Sequence, residues 1–123
     1  MYRYDEIDAM IDELNGVDEF KSSFRIRTRL PSTRIFPVTS GTATVTISAR
    51  WDRPSACPIR NYTVRLWRNV DWWFDDNRGA RSFPSPGSHT ATWTGLPAGD
   101  YYLEIDTGST NPNCVLAGDI EVT

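Results

Sequence analysis

At 123 residues the chain has room for one domain and one core, and its 39% hydrophobic and 24% charged content is that of an ordinary globular protein. A net charge of −3 excludes a general attraction to nucleic acid or anionic membrane, and no apolar run approaches the ~18 residues of a membrane span. Aromatic content is high at 12%, with five Trp and five Tyr, and Lys21 is the one lysine among 13 basic residues.

Charge is segregated at the start of the chain. Asp5, Glu6, Asp8, Asp12, Glu13, Asp18 and Glu19 face only Arg3, whereas residues 21–36 carry Lys21, Arg25, Arg27, Arg29 and Arg34 with no acid. Such neighbours are expected to neutralise each other locally; the other reading is an anionic arm beside a cationic strip that meets a partner. Within this arm Ile7, Met10, Ile11, Leu14 and Val17 follow the i, i+3, i+4, i+7 spacing of one buried face, which predicts an amphipathic helix over 5–17. Asp5 caps its start and Gly16 ends it. A helix of about a dozen residues is marginal alone in water. Its stripe is therefore expected to dock on the rest of the chain, on a larger protein partner, or on a second copy to give a homo-oligomer. The start Met1–Glu6 lacks the apolar centre of a signal peptide, so the chain is expected to be cytosolic, exported by another route, or a mature fragment.

After the helix the period changes from 3.6 to 2. Phe24, Ile26, Thr28 and Leu30 alternate with Arg25, Arg27 and Arg29, which predicts a half-exposed strand with three guanidiniums on one side. Pro31 and Pro37 interrupt the ladder and give an edge or linker. Val45 to Trp51 and Tyr62 to Trp67 alternate cleanly. Trp72–Phe74 and Arg81–Phe83 are short strand candidates separated by the turn-rich Asp75-Asp76-Asn77-Arg78-Gly79. Thr90–Thr94, Tyr101–Asp106 and Val115–Val122 follow. The predicted fold class is all-β: a sandwich of seven or eight strands over 24–123, preceded by a helical arm over 1–23.

Between the strand ending near Trp93 and the one starting at Tyr101 lies Leu96-Pro97-Ala98-Gly99-Asp100-Tyr101-Tyr102. It resembles the Leu-x-Pro-Gly-x-x-Tyr corner of fibronectin type III domains. It is also similar to the Leu-Pro-x-Gly-x-Tyr segment of bacterial collagen-adhesin B-type and pre-peptidase C-terminal domains. The likeness spans roughly residues 40–123 and implies an immunoglobulin-like sandwich. Collagen-adhesin modules carry a Lys–Asn isopeptide staple; Lys21 lies outside the matched region, so none is expected here. In such a sandwich the loops holding Cys57 and Cys114 lie at one pole, which implies a disulfide and an oxidising, extracellular or cell-surface location. Two buried free thiols are the alternative.

Candidate chemistry is sparse. The single histidine, His89, stands beside Ser88 without a nucleophile turn such as Gly-x-Ser-x-Gly, and phosphate-loop and dinucleotide-loop patterns are missing. No catalytic residues, metal or cofactor are expected. Asp71, Asp75, Asp76 and Asn77 offer oxygen ligands but not in the order of a calcium loop, and read as a solvated acidic turn. Asn61-Tyr62-Thr63 matches a glycosylation sequon. The densest unusual cluster is Trp67 with Trp72, Trp73 and Phe74, where consecutive aromatics on a strand must face opposite ways. These rings read either as a stacking platform for sugar or protein, or as surface covered by the N-terminal helix. The leading expectation is a non-catalytic extracellular binding module with carbohydrate as the first ligand class. The alternatives are an assembly protein docking through Ile7, Met10, Ile11, Leu14 and the Arg25, Arg27, Arg29 face, and an inhibitor or immunity-type protein.

Overall fold

The computed structural model describes residues 9–12, 20–31, 35–70, 75–109, 111 and 113–123. In chain order the strands are β1 (Ala9–Asp12), β2 (Phe20–Ile26), β3 (Arg29–Pro31), β4 (Phe36–Val38), β5 (Ala43–Trp51), β6 (Asn61–Arg68), β7 (Asp76–Pro84), β8 (Gly87–Trp93), β9 (Gly99–Asp106) and β10 (Leu116–Val122). They form two antiparallel sheets. The first runs β1-β2-β10-β5-β8; the second runs β3-β9-β6-β7, with β4 also on β9. Taking β3 and β4 as two halves of one edge, each sheet has four strands, and β1 adds a short fifth to the first.

The period-2 segments fold as their alternation requires. In β5, Val45 and Ile47 are fully buried while Thr44, Thr46 and Ser48 lie on the outer face. Val64 and Leu66 of β6 and Leu103 and Ile105 of β9 bury the facing side. Each such side chain contributes about 1.5–3 kcal/mol on removal from water. The expected all-β two-sheet sandwich is thus what forms. Its last strand, β10, pairs with β2 and β5, where an immunoglobulin constant domain places the corresponding strand in the other sheet.

The corner behaves as its residues indicate. Tyr101 is fully buried, and its hydroxyl donates to the Pro97 carbonyl at 2.5 Å. The Leu96 amide donates to the Gly41 carbonyl at 2.9 Å, which ties the corner to the turn before β5. Tyr101→Phe is expected to lower the urea midpoint by the equivalent of about 1 kcal/mol with an unchanged m-value. An unaltered midpoint would show that the hydroxyl contributes nothing net.

Cys57 and Cys114 form a disulfide, with a Cα–Cα distance of 5.0 Å. It joins the loop after β5 to the loop after β9, at the pole opposite the corner. The Asp52 amide donates to the Val115 carbonyl at 2.8 Å beside it. None of the described helices is long and apolar enough to cross a membrane.

Three expectations are corrected. The predicted helix over 5–17 is not formed where it is described: Ala9–Asp12 is a strand, pairing Met10 with Phe24 and Ile11 with Ser23. The rest of that segment, including Ile7, Leu14 and Val17, lies outside the described residues. The physical reason is competition. A short helix gains little in water, whereas the open edge of β2 offers a row of unpaired backbone groups to any extended segment beside it.

The predicted Arg25–Arg29 strip is also divided. β2 ends at Ile26 in the first sheet, the chain bends at Arg27 and Thr28, and Arg29 opens β3 in the second. Buried Thr107 holds the bend: its hydroxyl donates to the Arg27 carbonyl and its amide to the Thr28 carbonyl, both at 2.8 Å. Arg25 is taken up by Asp52, with Nε donating at 2.8 Å.

Finally, of the turn expected at Asp75–Gly79, Asp76–Gly79 is the start of β7, where Asp76 pairs with Arg68 and Asn77 with Trp67, and Asp75 directly precedes the strand. An irregularity between Arg65 and Trp67 absorbs the register, and Gly79 takes φ 104° there, a conformation open to glycine at little cost.

Candidate functional site: an aromatic pair on the outer face of the second sheet

Trp67 on β6 and Tyr102 on β9 are directly opposite across the ladder. Both belong to the alternation that buries Leu66 and Tyr101, so both point away from the core and stay half-buried. Their rings are nearly parallel, 12° apart, with centroids separated by 6.4 Å. The next row of the same face holds Arg65 and Glu104, also direct partners. The row beyond holds Thr63 and Asp106.

Asp75 fixes one side of the pair. Its Oδ2 accepts from the Tyr102 hydroxyl at 2.6 Å, and its Oδ1 accepts from the Val70 amide at 3.2 Å. One carboxylate thus holds the end of the chain leaving β6 and the tyrosine of β9 together. The Tyr102 hydroxyl is held well above the ordinary range of a tyrosine. Burial is the largest cause, followed by its hydrogen bond to Asp75 and the negative charges of Asp75 and Glu104. Tyr102 is therefore a neutral, fixed donor across the physiological range. Arg68 supports the other flank, donating from Nη2 to the Ala98 carbonyl at 3.1 Å and resting against Gly99.

This arrangement offers what recognition of a polyhydroxylated ring needs: apolar ring surface, a guanidinium and a carboxylate within one or two strand spacings. Of the predicted ligand-binding residues, Trp67 is placed here. Trp72, Trp73 and Phe74 lie outside the described residues. Tyr102, Asp75, Arg65 and Glu104 were missed by reading the sequence. The signal was available for Tyr102 and Glu104, because alternation from buried Tyr101, Leu103 and Ile105 sends both to the outer face.

Other groups are placed elsewhere. Nε2 of His89 lies 2.8 Å from the Pro84 carbonyl, and its ring stacks on Phe83 at 5.6 Å, while adjacent Ser88 points to the opposite face. No cluster of three or more His, Cys, Asp or Glu side chains able to hold a metal occurs among the described residues. A depression of about 270 Å³ lies on the outer face of the first sheet, lined by Lys21, Thr46, Ser48, Asp119 and Glu121 among others. It is on the far side of the sandwich from Trp67 and has no aromatic wall.

No family model matches the chain. No curated protein matches it. Among solved structures it is similar to a family two carbohydrate esterase from Cellvibrio japonicus at 13% sequence identity and a TM-score of 0.36. The alignment covers 92% of this chain and 29% of the esterase chain, so this chain spans less than a third of that chain's length. A likeness of that degree says nothing about what this chain binds or does.

Proposed function

We propose that the protein is a non-catalytic, extracellular or cell-surface binding module that holds carbohydrate on the outer face of its second sheet. The observation that supports this is the Trp67–Tyr102 pair, fixed by Asp75 and left half-exposed beside Arg65 and Glu104. A half-buried Trp keeps flat apolar surface open to a ligand, and a sugar ring presents apolar C–H faces to the indole with hydroxyls at its rim. Arg65 and Glu104 then supply donors and an acceptor for those hydroxyls. The disulfide agrees with an oxidising compartment.

The test is a glycan array followed by titration of Trp fluorescence with each hit. Binding is expected for the wild-type chain, with Trp67→Ala weakening it by at least about 2 kcal/mol, some thirtyfold in Kd. Arg65→Ala is expected to give a smaller loss. A flat array, or a Trp67→Ala protein that binds like wild type, would rule out this site.

A further inference from the structure

Two open sheets have four edges, and three of these edges are protected. The edge of β9 is covered by β3 and β4, which carry Pro31 and Pro37. β7 carries Asp76, Arg78 and Arg81, a register irregularity, the positive-φ Gly79 and a terminal Pro84. β1 is four residues long and contains Asp12. Short length, charge, proline and bulges are the devices that keep strands from pairing with foreign chains. β8 has none of them. Its seven residues, Gly-Ser-His-Thr-Ala-Thr-Trp, contain no proline, acid, lysine or arginine.

The direction of its backbone groups follows from one contact. The Thr92 carbonyl accepts from Nη2 of Arg81 at 3.4 Å, so it points away from β5. In an antiparallel ladder N–H and C=O groups alternate in direction. Ser88 and Thr90 therefore also aim theirs outward, and no described residue takes them up. Their side chains, with that of Thr92, line the exposed outer face. There the hydroxyls of Thr90 and Thr92 meet those of Thr46 and Thr44, each pair at 3.2 Å. Arg81 guards only the Thr92 end.

We propose that β8 is a self-association edge: two copies pair antiparallel through Ser88 and Thr90 about a two-fold axis at His89, fusing their first sheets into one. This register exchanges four backbone hydrogen bonds, sets Ser88 opposite Thr90 of the second copy, and leaves Thr92 with Arg81. A second copy is the fitting occupant because Ser88 and Thr90, the residues that present the outward groups, carry no charge or large apolar side chain with which to select a foreign peptide. An uncharged Ser-x-Thr strand is instead complementary to itself, and opposed hydroxyls are favourable cross-strand neighbours. The contact is narrow, well below the area of a standard stable interface, so association is weak and concentration-dependent.

Sedimentation velocity on the full chain between about 10 µM and 1 mM is the test, since about −4 kcal/mol suffices for association at the upper limit. A dimer that grows with concentration is expected. Thr90→Pro is expected to remain monomeric, because the N–H it deletes faces away from β5 and the fold does not use it. Ser88→Lys/Thr90→Lys, which opposes like charges across the axis, is the second variant should proline disturb β8. Amide exchange of Ser88 and Thr90 needs no variant and is expected to slow as concentration rises. A wild-type chain still monomeric at about 1 mM, a dimer that survives Thr90→Pro, or exchange at these two amides independent of concentration would each overturn the proposal. All three readouts are independent of sugar binding at Trp67.

Discussion

Replacing both cysteines, Cys57→Ala with Cys114→Ala, is expected to lower the unfolding free energy by about 4 kcal/mol and the thermal midpoint by about 15 °C. The bridge spans 57 residues in sequence, and in the chain-entropy model a loop of that length removes about 4 kcal/mol of freedom from the unfolded chain. Its location adds to the effect. Cys57 and Cys114 are 1% and 0% exposed, and they join two long loops between strands of different sheets. Without the bridge those loops are held together mainly by the Asp52–Val115 backbone bond and by packing. Alanine is preferred to serine because a hydroxyl at either site would be buried without an assured partner. Urea denaturation of the wild type with and without reductant, beside the double variant, separates loss of the link from loss of packing. Reduced wild type and the double variant are expected to unfold at similar midpoints. A difference below about 1 kcal/mol between oxidised and reduced wild type would show that the bridge is not what stabilises this pole.

The parts of the fold that were legible in the sequence are those where side-chain alternation and turn chemistry agree. Val45–Trp51, Tyr62–Trp67 and Tyr101–Ile105 alternate because one face of each strand is core, and the Pro97–Gly99 corner between β8 and β9 follows from its residue types. The Cys57–Cys114 pairing followed once the strands were ordered. What was not legible depends on backbone partners that no side-chain pattern records. The spacing of Met10 and Ile11 suits a helix, yet the edge of β2 recruits Ala9–Asp12 as a strand. Alternation runs unbroken from Phe24 to Leu30, although the chain changes sheets midway, and the residue that turns it, Thr107, is 79 positions from Thr28. Asp75 reads as a solvated turn acid from its neighbours; its partner Tyr102 is 27 residues away. Of the site, Trp67 was read from its own strand; Tyr102 and Glu104 were missed although the alternation of theirs sends them outward, and the meeting of the three follows only from the β6–β9 register.

Gly118→Ala is expected to destabilise the chain by at least about 3 kcal/mol, although the usual arithmetic for a glycine in a strand points the other way. Where the backbone tolerates a side chain, Gly→Ala stabilises by about 0.4–1 kcal/mol by restricting the unfolded chain. At Gly118 the space decides instead. A Cβ built there would stand 2.0 Å from the Ser48 carbonyl oxygen and 2.7 Å from the Ala49 Cα. Both are backbone atoms of β5, so no rotamer change relieves the clash, and β10 must move away from β5. β10 is the strand between β2 and β5 and pairs with both over its whole length, from Leu116 to Val122. Displacing it loosens two ladders and the core positions Leu116 and Ile120 together, which places the cost at or above the upper end for overpacked sites. Gly95→Ala provides the contrast. Gly95 has nothing within 4 Å of its Cβ position but a φ of 64°, so its replacement is expected to cost only the 1–2 kcal/mol of left-handed strain. Thermal and urea unfolding of the two variants side by side is the measurement. If Gly118→Ala unfolds no earlier than Gly95→Ala, the close approach of β10 to β5 is not the constraint that keeps a glycine in the middle of that strand.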